Sequence, residues 1–214
     1  AAAAIVLLGW GGFRFLYAQG WAFGQSPAEA ASHCAQLFDS AEAASDSNWR
    51  PAARACSRAY RLASANEEGG VELLEKSLAA HLGAGNLARA ERFARELVSR
   101  APGKASSYLK LGEVLHQQRK IEEALWAYVR ATELDRSDAM ARFRRGQAQF
   151  GLGRSSLALE DLRAAAALDP GLTEWAPYHQ ELATVLFALG RVEEALDAYR
   201  QVTRLLPDWV DGWG

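Results

Sequence analysis

Apolar residues recur at three- and four-residue steps through most of this chain. Tyr108, Leu111 and Leu115 form one such set, and Leu125, Tyr128 and Leu134 form the next. That spacing puts one apolar stripe on each of two amphipathic helices, predicted over 105–117 and 121–134. No alternating run of β-branched residues is long enough to predict a strand, so the expected fold class is all-α. The helical pattern then repeats. The segments at 85–102, 119–136, 153–170 and 190–207 are variants of one motif, offset by 34, 34 and 37 residues. Ala90, Ala124, Ala158 and Ala195 hold the same place in each copy; Pro102, Pro170 and Pro207 close three of them, where the other has Arg136. Self-similarity at this period is the signature of a solenoid, in which each helical pair buries its apolar face against its neighbours.

Small residues pair across the predicted helices: Gly112 with Ala124, Gly146 with Ala158, and Ala183 with Ala195. Gly85-Asn86, Gly153-Arg154 and Gly190-Arg191 fall where each first helix should end, because glycine accepts the left-handed cap. With the aromatics Tyr128 and Tyr199 and the closing prolines, these residues resemble the tetratricopeptide repeat (TPR) family across 71–209. The resemblance divides that stretch into four repeats: 71–104, 105–138, 139–175 and 176–209. The first departs from the family pattern, with Ser77-Leu78 in place of Leu-Gly and Ala94 in place of the aromatic. The extra residues near Thr173-Glu174-Trp175 predict a longer turn or an extended helix start, and 210–214 read as the start of a capping helix.

What the resemblance implies is a right-handed α-solenoid whose first (A) helices line a concave groove that binds protein segments. By that resemblance and by helical phase, the groove presents Lys110, Glu113, His116 and Gln117, then Phe143, Arg144, Gln147 and Phe150, then Gln180, Glu181, Thr184 and Phe187. This mixture suits an extended peptide bearing an apolar side chain. It lacks the Lys/Asn pattern of TPR domains that clamp a chaperone's carboxyl terminus. Arg142, Arg144, Arg145 and Arg154 give the third repeat a basic character, which either meets an acidic peptide or lipid headgroups or is simply solvated.

Residues 26–65 read as one further, degenerate helical hairpin. Ser26-Pro27-Ala28-Glu29 is a capping box with proline at the first helical position, and a second helix should begin near Pro51. Residues 66–70 then read as a linker into the array. Cys34 and Cys56, the only cysteines, fall one on each helix of this hairpin. They are either a disulfide, worth roughly 3 kcal/mol for a loop of this size, or two small buried thiols.

Residues 1–24 carry one charge, Arg14, among apolar and glycine positions. The charge-free run ends at Phe13, short of the roughly 20 residues a span needs. Trp10, Phe13, Phe15, Tyr17, Trp21 and Phe23 gather around Arg14 like a headgroup-level belt. The segment reads as the end of a membrane helix, an N-terminal apolar, transmembrane-like anchor or membrane-complex contact. A signal peptide and a helix packed on the protein's own core are the other readings.

Composition narrows the function classes. Alanine supplies 43 of the 214 residues, which suits closely stacked helices. A net charge of −2 gives no electrostatic basis for nucleic-acid binding. Twenty arginines against four lysines hint at a GC-rich bacterial genome. His33, His81, His116 and His179 have no metal-ligand spacing, and no nucleophile–base motif or phosphate loop occurs, so neither catalysis, a metal nor a cofactor is expected. Glu122-Glu123 and Glu193-Glu194 occupy helix starts, where carboxylates favour the dipole. The expected protein is a single-pass, periplasm-facing interaction scaffold of a bacterial inner membrane, an accessory subunit touching lipids and an integral complex through 1–24. The alternative is an assembly factor or holdase for exported proteins.

Overall fold

The computed structural model describes residues 26–44, 48–63 and 69–206. Within them the backbone forms ten α-helices and one 3-10 turn, with no strand. The anchor and aromatic belt expected within 1–24, and the capping-helix start at 210–214, lie outside the described residues. Among the described residues no helix is long and apolar enough to cross a membrane.

The chain divides into two compact units, 1–100 and 101–214. In the first, α1 (Pro27–Ala43) starts on the anticipated capping box: the Ser26 hydroxyl accepts from the Glu29 amide at 3.2 Å, and the Glu29 carboxylate accepts from the Ser26 amide at 2.7 Å. Helix α2 (Arg50–Leu62) packs against α1 and against α3 (Gly69–Gly83), and α4 (Leu87–Arg100) packs against α3. Cys34 and Cys56 are joined in a disulfide, their Cα atoms 4.6 Å apart, among Ala30, Ala59 and Leu73.

One feature of this unit differs from the sequence reading: residues 66–70 were expected to be a linker, but α3 already begins at Gly69. The hairpin shares one unit with most of the first repeat, and the division falls at Arg100–Ala101. The reason is an aromatic seam across α2, α3 and α4. His81 stacks on Phe93 with ring centroids 5.5 Å apart, and Tyr60 meets Phe93 edge-on at 5.8 Å. The Tyr60 hydroxyl donates to Glu96, which also takes Arg100 at 3.1 Å.

The second unit contains α5 (Ala105–Gln117), α6 (Ile121–Leu134), α7 (Ala139–Gly151), α8 (Ser155–Leu168), a 3-10 turn (Pro170–Glu174), α9 (Ala176–Ala188) and α10 (Val192–Leu205). The helices pack as successive pairs, and α6 and α8 each also meet the helix that follows. Gly112 on α5 is small because of Tyr128 on α6: a Cβ there would come within 2.4 Å of the buried ring. Gly146 similarly faces Ala158 and Leu162, with the Ala158 carbonyl 3.2 Å from a would-be Cβ. Arg145 forks onto Asp161 and reaches the Thr132 hydroxyl at 3.0 Å, tying α7 to α8 and α6.

Four A helices end in the same way. The amides of Asn86, Lys120, Arg154 and Arg191 reach back five residues to the carbonyls of His81, Leu115, Gln149 and Leu186. Each closure needs a left-handed residue just before that amide. Gly85, Gly153 and Gly190 supply it at φ 69°, 75° and 73°, while Arg119 is held there at φ 63°. A side chain in this conformation costs about 1–2 kcal/mol. Arg119→Gly should therefore raise the unfolding free energy by about 1 kcal/mol, after glycine's larger unfolded-state entropy is counted; urea denaturation reads it, and a destabilised variant would contradict the argument.

The disulfide gives a second expectation. Its 22-residue separation places reduction at a cost of roughly 3 kcal/mol to the first unit. A melt of the Cys34→Ala/Cys56→Ala variant should lose a transition at lower temperature than the native chain does, and superimposable melts would count against it.

Candidate functional site

Helices α5, α7 and α9 are the first members of their pairs in the second unit, and their polar side chains join into one network. Arg144 on α7 lies 3.7 Å from Glu113 on α5 and donates to the Gln147 side-chain oxygen at 2.9 Å. Gln147 donates onward to Glu181 on α9 at 3.0 Å. Three successive helices are thus crossed by an acid–base–amide–acid chain of half-buried groups. The Arg144 guanidinium also lies 5.7 Å above the Phe143 ring, held by cation–π attraction.

The environment shifts two titratable groups here. Burial raises Glu113 above the usual glutamate value, while Arg144 and Lys110 pull it back. Burial lowers His116, and the Arg144 charge lowers it further, so the ring is neutral at physiological pH. Its edge meets Tyr128 at a centroid distance of 6.5 Å, and Tyr128 is itself raised by burial. A neutral imidazole, a carboxylate and two side-chain amides offer donors and acceptors in alternation. That suits a peptide backbone better than a single charged group.

Lys110, Glu113, His116, Arg144, Gln147, Glu181 and Thr184 are half-buried on these helices, and Gln117, Gln180 and Phe187 are exposed. Phe187 is the most open apolar residue of the set at 65 %. Phe143 does not line the surface. It is fully buried, packed against Trp175 at 5.3 Å and Tyr178 at 6.3 Å. The cause is the longer third repeat, whose 3-10 turn delivers Trp175 over the Phe143 ring. Phe150 is likewise turned partly into that core.

The arginines of the third repeat are also committed. Arg145 belongs to Asp161, Arg144 to the network, and Arg142 reaches the Arg136 carbonyl at 3.3 Å; Arg154 remains exposed. Sequence reasoning overlooked a Ser57–His81 contact of 2.8 Å in the first unit. Among the described residues no group of three or more metal-ligating side chains is arranged to hold a metal ion.

Residues 79–133, covering most of one pair and the next, match the family model described as a tetratricopeptide repeat. Over that stretch the paired helices match the tetratricopeptide pattern. Residues 126–211 match the model of the bacterial transcriptional activator domain, over the later helix pairs. No curated protein matches the chain. Among solved structures, MamA from Desulfovibrio magneticus RS-1 is similar at TM-score 0.66 and 20 % identity, over 84 % of this chain and 97 % of that one. A MamA RS-1 double mutant gives 0.65 and 20 %, over 85 % and 97 %. MamA AMB-1 gives 0.63 and 21 %, over 81 % and 96 %. At this identity the likeness is one of helical-repeat fold.

The lowered histidines set a pH dependence. His116 and His81 both have folded values below the unfolded 6.5, chiefly through burial. Their contribution is present above the unfolded value and lost as pH falls through the folded one. Glu113 acts with opposite sign, nearer the carboxylate range. Urea midpoints should therefore fall between about pH 7 and about pH 5, and His116→Gln should flatten that slope. An equal slope in the variant would remove His116 from the account.

Proposed function

We propose that this chain is a protein-interaction scaffold, with the A-helix face of its second unit as the docking surface for an extended segment of a protein partner. The observation that carries this reading is the Glu113–Arg144–Gln147–Glu181 chain across α5, α7 and α9. Interlocked polar groups on three rigid helices present fixed donors and acceptors, which lowers the ordering cost of binding. A non-catalytic role is supported by the one nucleophile–base contact noted above. Ser57 gives its hydroxyl hydrogen to the Ala53 carbonyl at 2.7 Å, and the His81 Nδ1 has no carboxylate to orient it.

The proposal extends to placement. The apolar segment 1–24 anchors the chain at a bacterial inner membrane or against an integral membrane complex, and the TPR units face the periplasm, where the Cys34–Cys56 disulfide persists. In this reading the chain is an accessory subunit with protein and lipid neighbours and without cofactor or nucleic acid. Exposed Phe187 on α9 favours one rival, an assembly factor that holds exported proteins transiently.

Affinity capture from native membranes in mild detergent, followed by quantitative mass spectrometry, tests both. A scaffold subunit should bring down one integral membrane complex at fixed ratio, and Arg144→Glu should reduce recovery of the groove partner by roughly tenfold, the size of losing one buried charged contact. A spread of incompletely assembled exported proteins at low ratio would replace the subunit by the assembly factor. Recovery unaffected by Arg144→Glu would remove the groove from the proposal.

A further inference from the structure

The first unit has a face that the scaffold reading does not use. Helix α2 contains four arginines and no carboxylate. Arg50, Arg54 and Arg61 lie within roughly 40° of one another around its axis and span roughly 16 Å along it. Helix α4 contributes Arg89 and Arg92 from the opposite side. Two adjoining hollows lie between the helices, of about 710 Å³ and 350 Å³, and Arg89 borders both. Arg50 and Arg54 line the larger, and Arg61 and Arg92 line the smaller. All five are exposed, and among the described residues none is ion-paired. The carboxylate in the lining, Glu96, is already held by Tyr60 and Arg100.

Two further observations point to a ligand. Both helices begin with arginine in the first turn and no acid there, against the dipole, whereas α6 and α10 begin with Glu122-Glu123 and Glu193-Glu194. Positive charge concentrated at positive helix ends is an electrostatic cost that a bound anion removes. The second observation is the pair of rings, Tyr60 and Phe93, that line the smaller hollow beside Arg61 and Arg92. A peptide carrying both acidic and apolar side chains can meet the arginines and cover these rings; a bare oxyanion meets the arginines alone.

We propose that the arginine-lined face of α2 and α4 binds an acidic, extended peptide segment of a partner protein. Arg50, Arg54, Arg61, Arg89 and Arg92 take its carboxylates along a track that about five extended residues would fill. The Phe93 and Tyr60 rings floor the smaller hollow beneath an apolar side chain. This site is separate from the A-helix network of the second unit, so either can fail without the other.

The test is fluorescence anisotropy on the full chain with a labelled peptide of about ten residues, alternating Glu and Gly around a single Leu. Binding should saturate, weaken as salt rises from about 50 to about 300 mM, and weaken roughly tenfold or more in Arg54→Glu/Arg89→Glu. That variant places acids near helix starts, so its fold should hold, and circular dichroism checks this. Arg200→Glu/Arg204→Glu on α10 makes the same change in net charge and should leave the affinity unchanged. No saturable binding, equal binding of the Lys-for-Glu peptide, or a double variant that binds normally would each overturn the proposal. Vesicles of phosphatidylglycerol that capture the chain through these arginines, while the peptide does not bind, would overturn it in favour of a lipid surface.

Discussion

The described repeats depend on one steric constraint: at the crossing of each helix pair, a small residue on the first helix must face the bulk of the second. Gly112 opposes the Tyr128 ring, and Gly146 opposes Leu162 and the Ala158 backbone. Ala183 stands at the equivalent place on α9, with Tyr199 at the equivalent place on α10. The first repeat reverses the sizes, with buried Leu78 on α3 and buried Ala94 on α4. The summed volume at the crossing is kept while its distribution is inverted, which a close-packed interior tolerates better than any net change. The polar network on the other side of α5, α7 and α9 follows from this. Glu113, Arg144 and Glu181 meet because their helices are held at a separation that small residues set.

Where sequence and structure agree, local physics decides the outcome. Helices α5 and α6 run over the residues that apolar spacing predicts, because each stripe is unbroken and each C-terminal end is closed by backbone hydrogen bonds. Phe143 shows the limit. Its phase on α7 is compatible with the groove, and its burial comes from Trp175, some thirty residues on and delivered by a turn whose shape the repeat pattern does not specify. The arginine stripe of α2 was open to inspection in the spacing of Arg50, Arg54 and Arg61. A net charge of −2 hides it, because the compensating acids sit on other helices. The polar network needed the tertiary arrangement, since Glu113, Arg144 and Glu181 are separated by about one repeat each.

Electrostatically the two units differ in kind. In the second, acids and bases neutralise one another within the network, so the surface carries hydrogen-bonding specificity with little net field. In the first, α2 and α4 set unpaired arginines along both walls of a hollow, where low-dielectric surroundings focus the potential and raise the encounter rate with negative partners. A field of this kind speeds association and discriminates by charge. Fixed amide and carboxylate groups discriminate by register. On the two proposals made above, the α5–α7–α9 network and the α2–α4 arginines would recognise partners in these two different ways.

The placing of the disulfide follows from what the first unit buries. Around the disulfide, two clusters among the described residues consist mainly of alanine and cysteine: Ala30, Cys34, Cys56 and Ala59 beside Leu73 in one, and Ala41, Ala52, Ala53 and Ala80 in the other, while the buried leucines Leu74, Leu78 and Leu97 lie on α3 and α4. A buried alanine removes far less apolar area from water than a leucine or phenylalanine, at roughly 25 cal/mol per Å². The second unit instead buries Phe143, Leu159, Leu162, Leu172, Tyr178, Val185 and Leu186 in one cluster. Close approach of α1 and α2 is thus obtained with side chains that supply little transfer free energy. A covalent tie that lowers the entropy of the unfolded chain makes up the difference without adding bulk. Cys56 lies buried on α2 while Arg50, Arg54 and Arg61 of the same helix are exposed, so the stability device and the charged surface belong to one helix.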